Sequence, residues 1–448
     1  MGPLFVAIGP LFVAVLVACE APTSSFRASP TVAAPTPPAS AAATAAAVTT
    51  APTPDRVAGW RSDLGRIVPG MAGIHPNLTH GTTLAALEAA VTQLTGEIED
   101  ATDDELLVGV MRIGAMVSAA GCDGHTGVFA WGTGFYPLDS LPLRLWLFED
   151  EVVIVDAMAP YEDLIGSRID GVDNTPIADV LAAIDPLIPR DNDQTVRLLA
   201  PRFLLIPQVL RGLGLAGEDP ITLGLTSPDG ATDRREIEPA RMAVYNEWAG
   251  SYGLHLPQDP DVLSLSNIDD DLWWELLPDA RSLYVQYNRV QDQPPQVIED
   301  LATALRDPDV SRVILDIRHN FGGEVRALDP MFELFDDPAV DVPGELFVIT
   351  GRNTFSAGSM LLARLEAGTG ATIVGEPMGG CPTFYGDGDE LQLPYSGLSV
   401  TVSTRLVPGV DPGHERSNIE LDQIAPLTRR DWMDERDPAL ELIVLDVN

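Results

Sequence analysis

The sequence predicts a multi-domain α/β protein, and three observations carry that reading. The chain has 448 residues, more than one ordinary domain holds. From about residue 280, strand-like and helix-like runs alternate, the rhythm of a mostly parallel sheet with crossover helices. Between these and the N-terminal part lies a stretch of short strands and turns, the rhythm of a separate β-rich module.

The first residues read as a targeting segment and are set aside from the fold. Residues 3–18 (PLFVAIGPLFVAVLVA) are apolar but short for a membrane span. They end in Leu16-Val17-Ala18-Cys19, which is similar to a bacterial lipobox, although Lys and Arg are absent before it. Cys19 is then the expected lipidation site, with residues 1–19 as the signal; a plain signal peptide is the other reading. Residues 20–56 are almost wholly Ala, Pro, Thr and Ser. They cannot bury a core and read as a tether. The expected address is the bacterial cell envelope, outside the cytoplasm, anchored to the membrane or secreted.

Residues 57–138 read as a helical region. Between 84 and 120, Leu106, Val110, Ile113 and Val117 recur on one helix face, and the Gly-rich stretch AAGCDGHTG follows at 119–127. Residues 139–240 read as the β-rich module, with two strands in 141–158 around a charged turn. A hairpin around Pro228-Asp229-Gly230 completes it. Residues 241–448 read as the α/β core. Its expected strands are LYVQY (283–287), RVILDI (312–317), ELFVIT (345–350) and ATIVG (371–375), and its expected helices lie near 298–305, 325–335 and 357–367.

That order places two loops beyond the carboxyl ends of neighbouring parallel strands: RHNFGG (318–323) and RNTFS (352–356). Ligand sites of open α/β sheets collect at this rim. Ser356 stands where a helix begins. One reading is an N-cap, the commonest use of Ser there. The other is a nucleophile, since free N–H groups at a helix start stabilise developing negative charge. Gly322 and Gly323 likewise read as a turn needing positive φ or as amide donors to an oxyanion.

VILDIRHNFGGE and NTFSAGSMLLARLEAGTGATIVGEPMGG, taken in order, resemble the C-terminal-processing (tail-specific) serine peptidases and the related tricorn core. The tail at 420–444 resembles the family's closing segment. The resemblance spans roughly residues 80–448. It implies a catalytic core of the ClpP/crotonase-like type, a degenerate PDZ-like module at 139–240, and hydrolysis of peptide bonds in proteins or peptides through an acyl-enzyme. The Lys that many members carry after the Val-Gly-Glu strand is missing here; PMGGCPTFYGDG follows instead. The resemblance is therefore to the tricorn-like branch, with Ser, His and a late Glu. It implies Ser356 as nucleophile, His125 as base and Glu415, seven residues before Asp422, as the orienting carboxylate. The amides of Ala357 and of Gly322 or Gly323 form the oxyanion hole. His319 is the reserve base, and His414 is expected to point elsewhere. Both Cys122 and Cys381 fall in loops that flank this site, so a disulfide between them is expected to pin the His125 loop. A peptide-binding relative without efficient catalysis, or an esterase or amidase, is the alternative function.

The composition excludes some partners. With 27 basic and 66 acidic residues the formal charge is −39, which repels nucleic acid. No cofactor is expected and no metal, because His75 and His80 have no Cys or carboxylate near them in sequence.

Overall fold

The computed structural model describes residues 54–129, 138–250, 253–277, 281–338, 340, 345–409 and 416–445. Cys19, His414 and Glu415 lie outside them, as does the expected targeting segment and nearly all of the tether.

The chain is a mixed α/β protein with two six-stranded sheets. The first part is helical: Pro54–Ile74, Leu84–Glu97 and Asp103–Ala115. The single helix-like pattern of 84–120 is two helices. Thr102 starts the second with a capping box, accepting from Glu105 N–H while the Glu105 side chain takes the Thr102 N–H. Such a reciprocal cap defines a new helix start more strongly than the apolar period continues the old one.

Strands Leu143–Phe148, Glu151–Ala157, Arg168–Val172, Ile221–Thr226 and Thr232–Ile237 form an antiparallel sheet, with the short strand Thr175–Pro176 beside the third. Helices Ile177–Ile184, Asp193–Leu204 and Pro207–Gly212 lie between its third and fourth strands, more helix than the turn-rich sequence suggests.

In the second large sheet the spatial order is Gln423–Ile424, Thr372–Gly375, Leu346–Thr350, Arg312–Asp316, Ser282–Tyr287 and Leu272–Leu277. All neighbours are parallel except the last pair. The central strands are buried on both faces, which is why they read as unbroken Val, Ile and Leu runs. Helix Ala357–Gly368 crosses from Leu346–Thr350 to Thr372–Gly375 and packs Leu361, Leu362 and Leu365 into the core.

Two small hairpin-like sheets follow. Phe384–Gly386 pairs with Arg405–Val407, and Asp389–Leu393 with Leu398–Val402. Thr401 in the latter exchanges both main-chain hydrogen bonds with Gly127, at 2.9 Å each. That bridge fastens the 122–127 loop to the hairpin Asp389–Val402, whose apolar side chains join the core of the helical part.

Candidate active site

The motif Asp316-Arg318-Asn320 is a scaffold for the two rim loops. Asp316 accepts from Arg318 and, at 2.7 Å, from the Tyr284 hydroxyl. Arg318 also reaches Asp437 at 2.9 Å, which ties the C-terminal Asp437-Pro438 step to the rim. Asn320 donates to the Tyr287 carbonyl, accepts Gly322 N–H at 2.9 Å, and its own carbonyl accepts Phe355 N–H at 3.0 Å. One side chain and its peptide thus register the Gly322 loop against the Ser356 loop.

Ser356 begins helix Ala357–Gly368 but does not cap it: its side chain makes no capping hydrogen bond. Its backbone sits at φ 53°, ψ −123°. A non-glycine residue held there costs on the order of 1–3 kcal/mol. Such strain at a strand-to-helix turn exposes a serine hydroxyl above a sheet. What takes that hydroxyl instead is His125: Nε2 lies 3.1 Å from Ser356 Oγ. Ser359, three residues on, is buried in the helix and turned to the Thr354 carbonyl.

His125 is sandwiched between Phe355 (4.7 Å between ring centroids) and Phe384 (5.5 Å). Burial is the main influence on its imidazole and holds it down at about 4, and the negative charge of Asp123 and Asp387 offsets only part of that. The ring is therefore neutral at pH 7, and Nε2 accepts from Ser356 Oγ in the tautomer that carries its proton on Nδ1. Its Nδ1 is buried and has no hydrogen-bond partner among the described residues.

The loop carrying His125 is held by side chains far away in sequence. Cys122 is joined to Cys381 by a disulfide, with Cα atoms 5.4 Å apart. Gly124 N–H donates to Asp191 Oδ1, and Cys381 N–H to Asp191 Oδ2. Asp123 is fully buried; it accepts from Ser403 Oγ at 2.6 Å and from His75 Nε2 and His80 Nε2 at 3.1 and 3.0 Å. Burial would raise the Asp123 carboxyl, but these three bonds outweigh it and hold it below the usual carboxylate range.

His75, His80 and Asp123 correct one sequence expectation: a carboxylate does reach the two histidines. Their ligand atoms lie within 4.8 Å of one another, close enough to share a metal ion. The hydrogen bonds oppose that use. Asn77 N–H donates to His75 Nδ1 at 2.9 Å, so the proton of a neutral ring is on Nε2, which then donates to Asp123. A metal-bound Nε2 needs the reverse tautomer.

Of the expected oxyanion donors, Gly322 is corrected, because its N–H is spent on Asn320 Oδ1. Ala357 and Gly323 have N–H groups with no partner among the described residues. Gly322 is in close contact with Ser356. A Cβ there would stand 2.7 Å from Ser356 Cβ and 2.9 Å from Ala357 N, and its φ of 96° suits only glycine. His319 does not approach Ser356; it is buried against His255, 5.8 Å between centroids, and burial pushes it to about 3. Beside Ser356 and His125 opens a cavity of about 720 Å³, with Phe129, Leu199, Leu254 and Phe321 among its apolar walls.

No protein-family model and no curated protein matches the chain. Solved structures do. Mature CPAF complexed with lactacystin superposes with a TM-score of 0.58 at 14% identity, covering 86% of this chain and 97% of that one. A mutant of CPAF gives 0.61, also at 14% identity, over 86% of this chain and 96% of its own. The chain has the CPAF fold. Both alignments take in nearly the whole of CPAF, so the shared architecture is not confined to the parallel sheet.

Proposed function

We propose that the chain is a serine peptidase of the C-terminal-processing type that uses histidine rather than lysine as base. One observation carries this reading: Ser356, strained and not spent on capping, places its hydroxyl 3.1 Å from His125 Nε2. His125 takes the Ser356 proton as the hydroxyl attacks a carbonyl carbon, forming the acyl–oxygen bond. The oxyanion is met by Ala357 and Gly323 N–H groups. The imidazolium then protonates the leaving amine, the peptide C–N bond breaks, and water releases the acyl group by the same steps in reverse.

Glu415 is proposed to accept from His125 Nδ1. Two observations support it. Nδ1 is buried and makes no hydrogen bond of full geometry among the described residues, although the Tyr385 backbone acts on the ring in the same direction as a carboxylate would; a buried ring N–H left unpaired costs about 1–3 kcal/mol. Gly409, the last described residue before Glu415, is bound to Thr383 Oγ1 at 2.8 Å, next to Phe384, which covers the imidazole. A lipid on Cys19 and an extracytoplasmic address complete the proposal; a disulfide of the Cys122–Cys381 kind persists in oxidising compartments.

The direct test is cleavage of an unfolded protein by the purified full chain. Fragments seen with the wild type and lost in Ser356→Ala support a peptidase. Cleavage of esters but of no peptide bond would replace it with an esterase, and neither, in a folded protein, with a binding protein.

A further inference from the structure

Residues 190–195 (Arg-Asp-Asn-Asp-Gln-Thr) lie outside every motif that pointed to the site, yet they hold both the His125 loop and the 378–381 loop joined to it by the disulfide. The Asp191 carboxylate is fully buried between two main-chain donors. Oδ1 accepts Gly124 N–H at 2.5 Å, from the residue beside His125, and Oδ2 accepts Cys381 N–H at 2.9 Å. The Asp191 carbonyl accepts Cys122 N–H at 2.8 Å. Asn192 extends the knot: its amide nitrogen donates to the carbonyls of Met378, Gly380 and Ser417 at 3.2, 3.1 and 2.8 Å. Thr195 Oγ1 donates to the Gly379 carbonyl.

We propose that Asp191 is a positioning residue whose carboxylate, shared between Gly124 and Cys381, sets where His125 stands relative to Ser356. The proposal rests on the Ser356–His125 reading given above. An ionised carboxylate has an acceptor oxygen for each amide. Once protonated, one oxygen carries a hydrogen that confronts an N–H, and one of the two loops loses its anchor. Burial lifts this carboxyl to about 7; the two amide bonds pull the other way, and the charge of Asp123 adds to the rise. No cation among the described residues offsets it: Arg190, its neighbour, is turned to Asp185 at 3.1 Å. His75 and His80 bond to Asp123 Oδ2 rather than to Asp191.

Asp191→Asn imitates the protonated acid at every pH. The test is the rate at which a fluorophosphonate labels Ser356 in the full chain, measured from pH 5.5 to 9 for wild type and Asp191→Asn. The expected ratio of the two rates is near one at pH 5.5 and climbs through pH 7 to about tenfold or more above pH 8. The titration of His125 cancels in that ratio. A ratio that does not change with pH overturns the proposal, whether the variant is impaired or not. Should the variant fail to fold, amide hydrogen exchange on the wild type decides. Protection of Gly124 and Cys381 N–H rises through pH 7 if Asp191 holds them, and unchanged protection overturns the role. Wild type that takes no label overturns the Ser356 reading instead, which the exchange measurement distinguishes because it needs no chemistry.

Discussion

His125 Nε2 and Ser356 Oγ stand 3.1 Å apart although 231 residues of chain separate them. Burial keeps the imidazole neutral and its Nε2 faces a hydroxyl, the arrangement that the proposed transfer of a proton from Ser356 to His125 needs.

The acid limb of activity tests the third member of the triad. Burial holds His125 at about 4, against the pull of Asp123, Asp387 and the Tyr385 backbone. A carboxylate on Nδ1 favours the charged ring and raises that value. With Glu415 in place, kcat/KM therefore rises with pH through a midpoint well above 4. In Glu415→Gln the midpoint falls toward 4, and kcat drops by roughly 10²- to 10⁴-fold. The same pH profile in both proteins would remove Glu415 from the site. Asp387, whose charge also acts on His125, would then be the carboxylate to replace.

Asp191 is expected to cost stability where it serves function. Its folded value, about 7, is above that of an unfolded aspartate. A raised acid favours folding below the unfolded value, and that contribution is lost as pH rises through the folded one. The loss between pH 4 and 8 is on the order of 4 kcal/mol at most. The Tm of wild type should fall relative to Asp191→Asn over that range by calorimetry. Parallel Tm curves would show that Asp191 does not titrate there.

Asp123 behaves in the opposite sense. Its carboxyl is depressed, so its contribution is present above the unfolded value and lost as pH falls through the folded one. Asp123→Ala leaves His75, His80 and Ser403 facing a void, at a cost of about 2–4 kcal/mol in denaturant unfolding. The tautomer set by Asn77 also predicts that zinc titrated calorimetrically into chelator-treated protein finds no stoichiometric site at His75 and His80. Tight one-to-one zinc binding abolished by Asp123→Ala would overturn that assignment.

The strain at Ser356 gives a prediction that separates folding from chemistry. Glycine adopts φ 53°, ψ −123° without a side-chain clash, so Ser356→Gly should be more stable than Ser356→Ala by about 1 kcal/mol in chemical denaturation. Both variants should be inactive. Equal stability would mean that the turn relaxes in the free protein.

What could be read from the sequence is what repeats or punctuates. Val, Ile and Leu runs gave the parallel strands, and the loops holding Gly322 and Ser356 stood out because small residues followed those runs. His125 stood out through its glycines and through the family resemblance. The residues that place His125 carried no such mark. Asp191 and Asn192 act on main-chain groups, and Asp123 and Ser403 on side chains, all from distant segments, and a single polar residue in a loop has no period to betray it. The spending of Gly322 N–H on Asn320 was hidden for the same reason. The strand Leu398–Val402 did carry a signal, Leu398, Val400 and Val402 being buried while Ser399 and Thr401 are not, and that alternation was legible.

The central claim is that Ser356 is a nucleophile activated by His125, and intact-mass analysis after fluorophosphonate treatment tests it most directly. One adduct is expected, mapped to Ser356, absent in Ser356→Ala and formed at least about 10²-fold more slowly in His125→Ala. A folded wild-type protein that takes no adduct, or one labelled at the same rate without His125, would contradict it.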